Sequence, residues 1–269
     1  MQVPIEHDGV RCYTLYRNAF AEREIACPAM VLRDTVLARW VRKHALAVDV
    51  RTSKELAIAI ANGIHPGRIV VHGDNLYDPE LRCAANVGVG RVIVDSASQA
   101  EFLALCSENR THSVLIRTTD PGLRSSSEVM EANRSPPLGA SSAPNTADPI
   151  EVVLAHRRLN LEGLDARIGL HEGAFVSCTA AIGHMIAEMA RVRGQHAIVL
   201  TQLGLHIDLP VRDSETALRS LADRIGATLD DACTTMRFPR PRVLLSLDST
   251  PVERGRGLSP TSDPLSLID

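Results

Sequence analysis

The chain has 269 residues and a formal net charge of -3 at pH 7, a balance that argues against nucleic-acid and anionic-membrane partners. Hydrophobic residues make up 45% and aromatics 3%, enough for one sizeable core but without the aromatic platforms of a single-strand binder. No run of about 18 apolar residues occurs, so no transmembrane helix is expected, and Met1 to Val10 carries Glu6 and Asp8 where a signal peptide needs an apolar stretch.

In chain order, Glu24 to Leu32 is a short apolar run that predicts a buried strand. Thr35 to His44 places Val36, Leu37, Trp40 and Val41 at helical spacing. Ala45 to Val50 predicts the second strand, and Ser53 is placed to cap the helix that ends at Gly63. Arg68 to His72, Arg91 to Val94 and Ser113 to Arg117 predict three more strands, with helices over Pro79 to Val87 and Ser98 to Asn109 between them. The rhythm stops between Asp120 and Asp148, which is rich in Ser, Pro, Ala and Asn and predicts an irregular loop. It resumes with strands in Leu159 to Gly169, Ala197 to Leu203 and Arg242 to Leu247. Helices are expected over Ala180 to Arg193 and Thr216 to Leu229, and a flexible tail over 250–269. Roughly eight strands alternating with helices predict one α/β domain over 1–249, a (β/α)8 TIM-like barrel, and any ligand then sits at the C-terminal ends of the strands.

The six cysteines, Cys12, Cys27, Cys83, Cys106, Cys178 and Cys233, never fall at CxxC spacing, which weighs against a structural zinc site. Scattered cysteines predict a reducing, cytoplasmic setting. Lysine is scarce: Lys43 and Lys54 are the two in the chain, and the other basic side chains besides histidine are arginines.

One segment carries more than rhythm. Within Ala45 to Leu105, Asp49, Thr52 and Glu55 form a D-x-x-T-x-x-E element, Arg68 to Asn75 reads R-I-V-V-H-G-D-N, and Gly88, Val89, Asp95 and Ser96 form a G-V-x-x-x-x-x-D-S strand. Val114 to Asp120 (VLIRTTD) follows. These motifs resemble the early barrel of the ornithine, diaminopimelate and arginine decarboxylases of fold-type III. Asn160 to Leu170 and Ala197 to His206 continue the resemblance more loosely. It implies a barrel that binds pyridoxal phosphate, here incomplete and without the family's C-terminal β-domain, and assembly as a homodimer or as a heterodimer with an active relative.

The resemblance also implies where cofactor chemistry should reside, and there the chain departs from it. The family lysine that forms the Schiff base falls at Met30, whose thioether cannot form an imine. Lys54 is then the candidate for any covalent link. The phosphate-holding glycine loop falls at Gly204, Leu205 and His206, two of which carry side chains where backbone approach is needed. The carboxylate for the ring nitrogen falls in the stretch beginning at Ser246, with Asp248 out of register. The ring-stacking histidine falls at Arg167 and the serine three residues on at Leu170. Asp49, Glu55 and Arg117 are retained and imply a charged cluster lining the barrel. No cofactor is expected on this reading, pyridoxal phosphate if the family activity survives, and no metal. The favoured function is a catalytically inactive, decarboxylase-like barrel with a binding or regulatory role. The alternatives are a pyridoxal-phosphate-dependent decarboxylase with atypical cofactor binding and a decaying, non-functional paralogue.

Overall fold

The structure, a computed structural model, describes residues 8–73, 76, 78–107, 110–118, 148–168, 174–207 and 215–247. Eight strands form its centre: β1 (Glu24–Pro28), β2 (Ala47–Val50), β3 (Ile69–His72), β4 (Arg91–Val94), β5 (His112–Arg117), β6 (Leu159–Ile168), β7 (Gln202–Ile207) and β8 (Arg242–Leu247). They pair in sequence order, all parallel, and β8 returns to β1 through Leu245 opposite Ile25, so the barrel is closed. The barrel expected as incomplete therefore has its full complement of strands. The helices are α1 (Asp8–Ala19), α2 (Thr35–Lys43), α3 (Ser53–Ala61), α4 (Asp78–Val87), α5 (Ala97–Cys106), α6 (Pro149–Ala155), α7 (Ala174–His196) and α8 (Glu215–Thr235).

Alternation along each strand sorts the side chains. One set faces the helices and joins the main core, for example Val48, Val71, Leu164 and Leu245. The other faces inward, where Ala26, Ala47, Val70, Ile93, Leu115 and Leu244 make a separate apolar layer. Short residues on β1 and β2 and longer ones opposite let this layer fill the interior as barrels require. A Cβ on Gly163 would overlap the backbone carbonyl of Gln202, so β6 and β7 approach more closely than any other residue permits.

Helix α1 was not anticipated from the sequence. It packs against α8 on one side and α2 on the other, taking a place in the helical ring between the helices that follow β7 and β1. Tyr13, Tyr16 and Phe20 are buried there, each burial contributing roughly 2 kcal/mol. Arg17 lies 5.8 Å from the Trp40 ring, and Arg23 donates to the Ala222 carbonyl at 2.8 Å.

Several boundaries differ from expectation, among them α7, which begins at Ala174, and α8, which runs to Thr235. The strand expected over Ala197 to Leu203 begins at Gln202, because Ala197 takes a left-handed φ of 56° and leaves Val199 46% exposed. The first strand ends at Pro28, and Ala29–Arg33 form a 3-10 turn. Helix α3 is capped by Thr52, whose hydroxyl accepts from the Glu55 amide, and not by Ser53. The irregular 120–148 segment, save Asp148, and the 250–269 tail lie outside the described residues.

Candidate functional site

Above the apolar layer, toward the C-terminal ends of the strands, the interior turns polar. The next inward position carries Asp49 on β2, His72 on β3, Arg117 on β5, Asp165 on β6, His206 on β7 and Ser246 on β8. Strand register sets them side by side: Arg117 opposite Asp165, and His206 opposite Ser246. Asp165, His72, His206 and Ser246 are wholly buried and Asp49 is 2% exposed.

The contacts run as a chain. His72 Nε2 lies 3.1 Å from Asp49 Oδ1. Arg117 donates to His72 Nδ1 at 2.8 Å and, through Nε and a terminal nitrogen, to Asp165 Oδ1 at 3.1 Å. His206 Nε2 lies 3.2 Å from Asp165 Oδ2, and its ring meets that of His72 edge to face at 4.5 Å. A guanidinium can only donate, so His72 Nδ1 must accept and Nε2–H donates to Asp49. That geometry holds His72 neutral. Burial first, and His206 second, push its pKa below the ordinary value despite the Asp49 carboxylate. Burial alone would raise the Asp165 carboxyl, but His206 and Arg117 outweigh it and hold it well below the usual range. Asp49 is likewise lowered against burial, first of all by the hydrogen bond that His72 donates to it.

Asp49, His72 and His206 bring one donor atom each within 4.8 Å of one another, residue types that suit zinc. As placed, however, His72 spends its lone pair on Arg117 and its N–H on Asp49, so it has no lone pair for a cation. The arrangement is a charge network. Among the described residues, Asp49 Oδ2 and Ser246 Oγ are buried in it without a hydrogen-bond partner, and such groups call for a water or a polar ligand atom.

The residues singled out from the sequence meet different fates. Asp49 and Arg117 do join, bridged by His72. Glu55 does not: it is half-buried at the start of α3, where its Oε2 accepts from the Arg51 amide at 2.6 Å, and its role is helix capping. Gly204, Leu205 and His206 form no loop, since they lie inside β7, where all six residues are buried. Gly204 has its own physical reason, because a Cβ there would overlap the Asp165 carboxylate. Met30 is half-buried in the turn after β1 and not on the strand. Lys54 is exposed in the first turn of α3 and Lys43 is exposed at the end of α2. Arg167 is half-buried on β6, opposite His206 in register. Leu170 and Asp248 lie outside the described residues.

The sequence reading passed over Asp165 and placed His72 only at the end of a predicted strand, within the R-I-V-V-H-G-D-N motif. A signal was present: both stand two residues beyond an inward position on their strands, Gly163 and Val70, and period-2 alternation alone aims them into the barrel.

Comparisons with known proteins agree with this architecture. The model of the family described as pyridoxal-dependent decarboxylase, pyridoxal binding domain, matches residues 9–245. The diaminopimelate decarboxylase of Mycobacterium tuberculosis is 30% identical over 236 residues, covering 83% of this chain and 51% of the relative. That of Actinosynnema pretiosum subsp. auranticum is 30% identical over 238 residues, covering 85% and 52%. Among solved structures, a diaminopimelate decarboxylase from M. jannaschii superposes with a TM-score of 0.69 at 18% identity, over 88% of this chain and 58% of the other. A lysine/ornithine decarboxylase from Vibrio vulnificus, in complex with cadaverine, gives 0.68 at 16%, over 89% and 59%. The chain thus spans about half the length of the curated relatives it matches. The closed parallel barrel and the family match over most of its length lead to one conclusion: this chain belongs to the pyridoxal-dependent decarboxylase family, corresponding to its pyridoxal-binding domain.

Proposed function

We propose that this barrel does not hold pyridoxal phosphate as a Schiff base and works as a binding or regulatory member of the decarboxylase family, not as a catalyst. The observation that carries the reading is the placement of lysine. No lysine occurs anywhere between Arg23 and Arg42, the span that includes β1 and the turn after it, whatever the alignment of Met30. Lys43 and Lys54 both sit exposed on helices, outside the polar layer. An imine needs a lysine amine at the reacting carbon, and neighbouring groups cannot supply one. Ser246, at the strand end where a carboxylate for the ring nitrogen is expected, offers a hydroxyl in its place. The residues present therefore do not fit the covalently held cofactor.

Support for a binding role comes from Asp49 Oδ2 and Ser246 Oγ, buried acceptors at the ligand-binding end of the barrel. A dimer, with itself or with an active relative, is the assembly we propose. The test is titration of the purified protein with pyridoxal phosphate, read by absorbance and by borohydride reduction followed by peptide mass spectrometry. The expected result is no aldimine band and no reduced adduct. An adduct on Lys54, lost in Lys54→Ala, would establish the atypical-decarboxylase reading instead. A release of carbon dioxide from diaminopimelate or ornithine above a no-protein control would also overturn the proposal.

A further inference from the structure

The opposite end of the barrel holds a second feature, independent of the polar layer. A cavity of about 520 Å³ opens between the C-terminal ends of α4 and α5 and the start of β5. Arg82 and Asn86 line it from α4, Ser107 from the end of α5, and Arg110 and His112 from the approach to β5. None of its described lining residues is acidic. At Ser107 the polar groups are already engaged: its carbonyl accepts from Arg158 at 2.8 Å, and its hydroxyl donates to the Leu103 carbonyl.

The donors are held in place. The Arg82 guanidinium lies 5.5 Å from the Phe102 ring. Arg110 is laid across Gly88, which has a φ of 75° and where a Cβ would overlap the guanidinium, and it reaches the Val87 carbonyl at the end of α4. His112 is 3% exposed. Two guanidinium groups, an amide and a buried imidazole converging on one concavity form a set that can donate to an anion.

We infer that this cavity is a binding site for a small metabolite bearing a phosphate-class oxyanion, held by Arg82, Arg110 and His112. The volume lies within the range of small-molecule pockets and exceeds what a bare phosphate fills. Burial, and Arg110 beside it, push the His112 imidazole below its ordinary pKa, which favours the neutral ring. A bound oxyanion stabilises the imidazolium, and binding takes up a proton. Among the described residues that line the cavity with His112, the titratable groups are Arg110 on its own segment, Arg82 on α4 and Cys106 on α5, and the Arg158 carbonyl ahead of β6 accepts from the His112 amide. None of these side chains is a carboxylate that would charge the ring in the absence of ligand.

The test is isothermal titration calorimetry with inorganic phosphate and with sulfate, at ionic strength matched with chloride. The wild-type protein should bind both in preference to chloride. Arg82→Gln and Arg110→Gln, both at exposed positions, should each weaken binding about tenfold, and the double variant should bind neither, with its circular dichroism unchanged. Sulfate does not titrate near neutrality, so its affinity should rise on acidification in the wild type and stay flat in His112→Gln. Should that variant fail to fold, the His112 ring resonance in the wild type should shift on sulfate addition. Undiminished binding in the arginine double variant, or heats equal to those of chloride, would overturn the assignment.

Discussion

Each end of the barrel interior places an arginine beside a carboxylate, and the two pairs differ in what surrounds them. At the N-terminal end Arg91 makes a bidentate pair with Glu24 at 2.9 and 2.8 Å and approaches Glu162 at 3.8 Å. Its side chain is 17% exposed and that of Glu24 is 38% exposed. At the C-terminal end Arg117 meets Asp165 at 3.1 Å with exposures of 8% and 0%. By distance the exposed pair is the better one. Water decides the energetics: it screens the lower pair and would solvate either partner alone, whereas the upper pair is shielded from it and shares its charge with His72 and His206. Geometry read without burial would therefore rank the two ends in the wrong order.

Four changes test that contrast. The largest effect is expected for Asp165→Ala, which strands Arg117 in the interior and should cost about 3–5 kcal/mol in urea unfolding. Gly204→Ala comes next, at about 1–3 kcal/mol, because its methyl overlaps the Asp165 carboxylate. In the Asp165→Ala background the same glycine change should cost much less, and strict additivity would show that the two residues do not touch. A third expectation concerns pH. Asp49 and Asp165 have folded pKa values below their unfolded ones, so their contribution is complete above the unfolded carboxylate range, near pH 4, and fades as pH falls through the folded values. His72, also lowered, contributes fully above the unfolded histidine value, near pH 6.5, and loses that contribution on acidification. All three signs agree: stability should fall as pH drops below neutrality. His72→Gln should flatten the part of the curve near pH 6, and a pH curve unchanged by it would remove His72 from the account. The smallest effect, under about 1 kcal/mol and weakening further with salt, is expected for Arg91→Ala. A loss as large as that of Asp165→Ala would erase the distinction between the ends.

Much of the fold was legible in the sequence, and the misses have physical causes. The β/α alternation located every strand to within a few residues except β7. There the apolar run Ala197 to Leu203 looks like a strand, yet Ile198 and Val199 stay partly exposed and the pairing starts at Gln202. Helix α1 was missed because its polar composition hides Tyr13 and Tyr16, which become buried as the helix packs between α2 and α8. In the site, Asp49 and Arg117 were found through the motifs that contain them. Glu55 was misplaced because a capping glutamate and a barrel-lining one look alike in sequence. Asp165 was invisible for a deeper reason: its importance lies in partners on β5 and β7, which only closure of the barrel brings to it.

The seat of α1 between α8 and α2 also bears on how the chain reaches its folded state. The contact of Arg23 with the Ala222 carbonyl joins residues 199 positions apart, and β1 meets β8 over a similar span. Closing so long a loop costs roughly 5 kcal/mol of chain entropy beyond a constant, and contacts of that range slow folding. The strands from β1 to β7 can pair with sequence neighbours as they emerge, but the seam at α1, β1 and β8 must wait for the last strand. Until then both edges of the sheet stand open, and the aromatic face of α1 has only α2 to cover it. Helix α1 and strand β1 are thus the parts of this barrel left longest without their final partners.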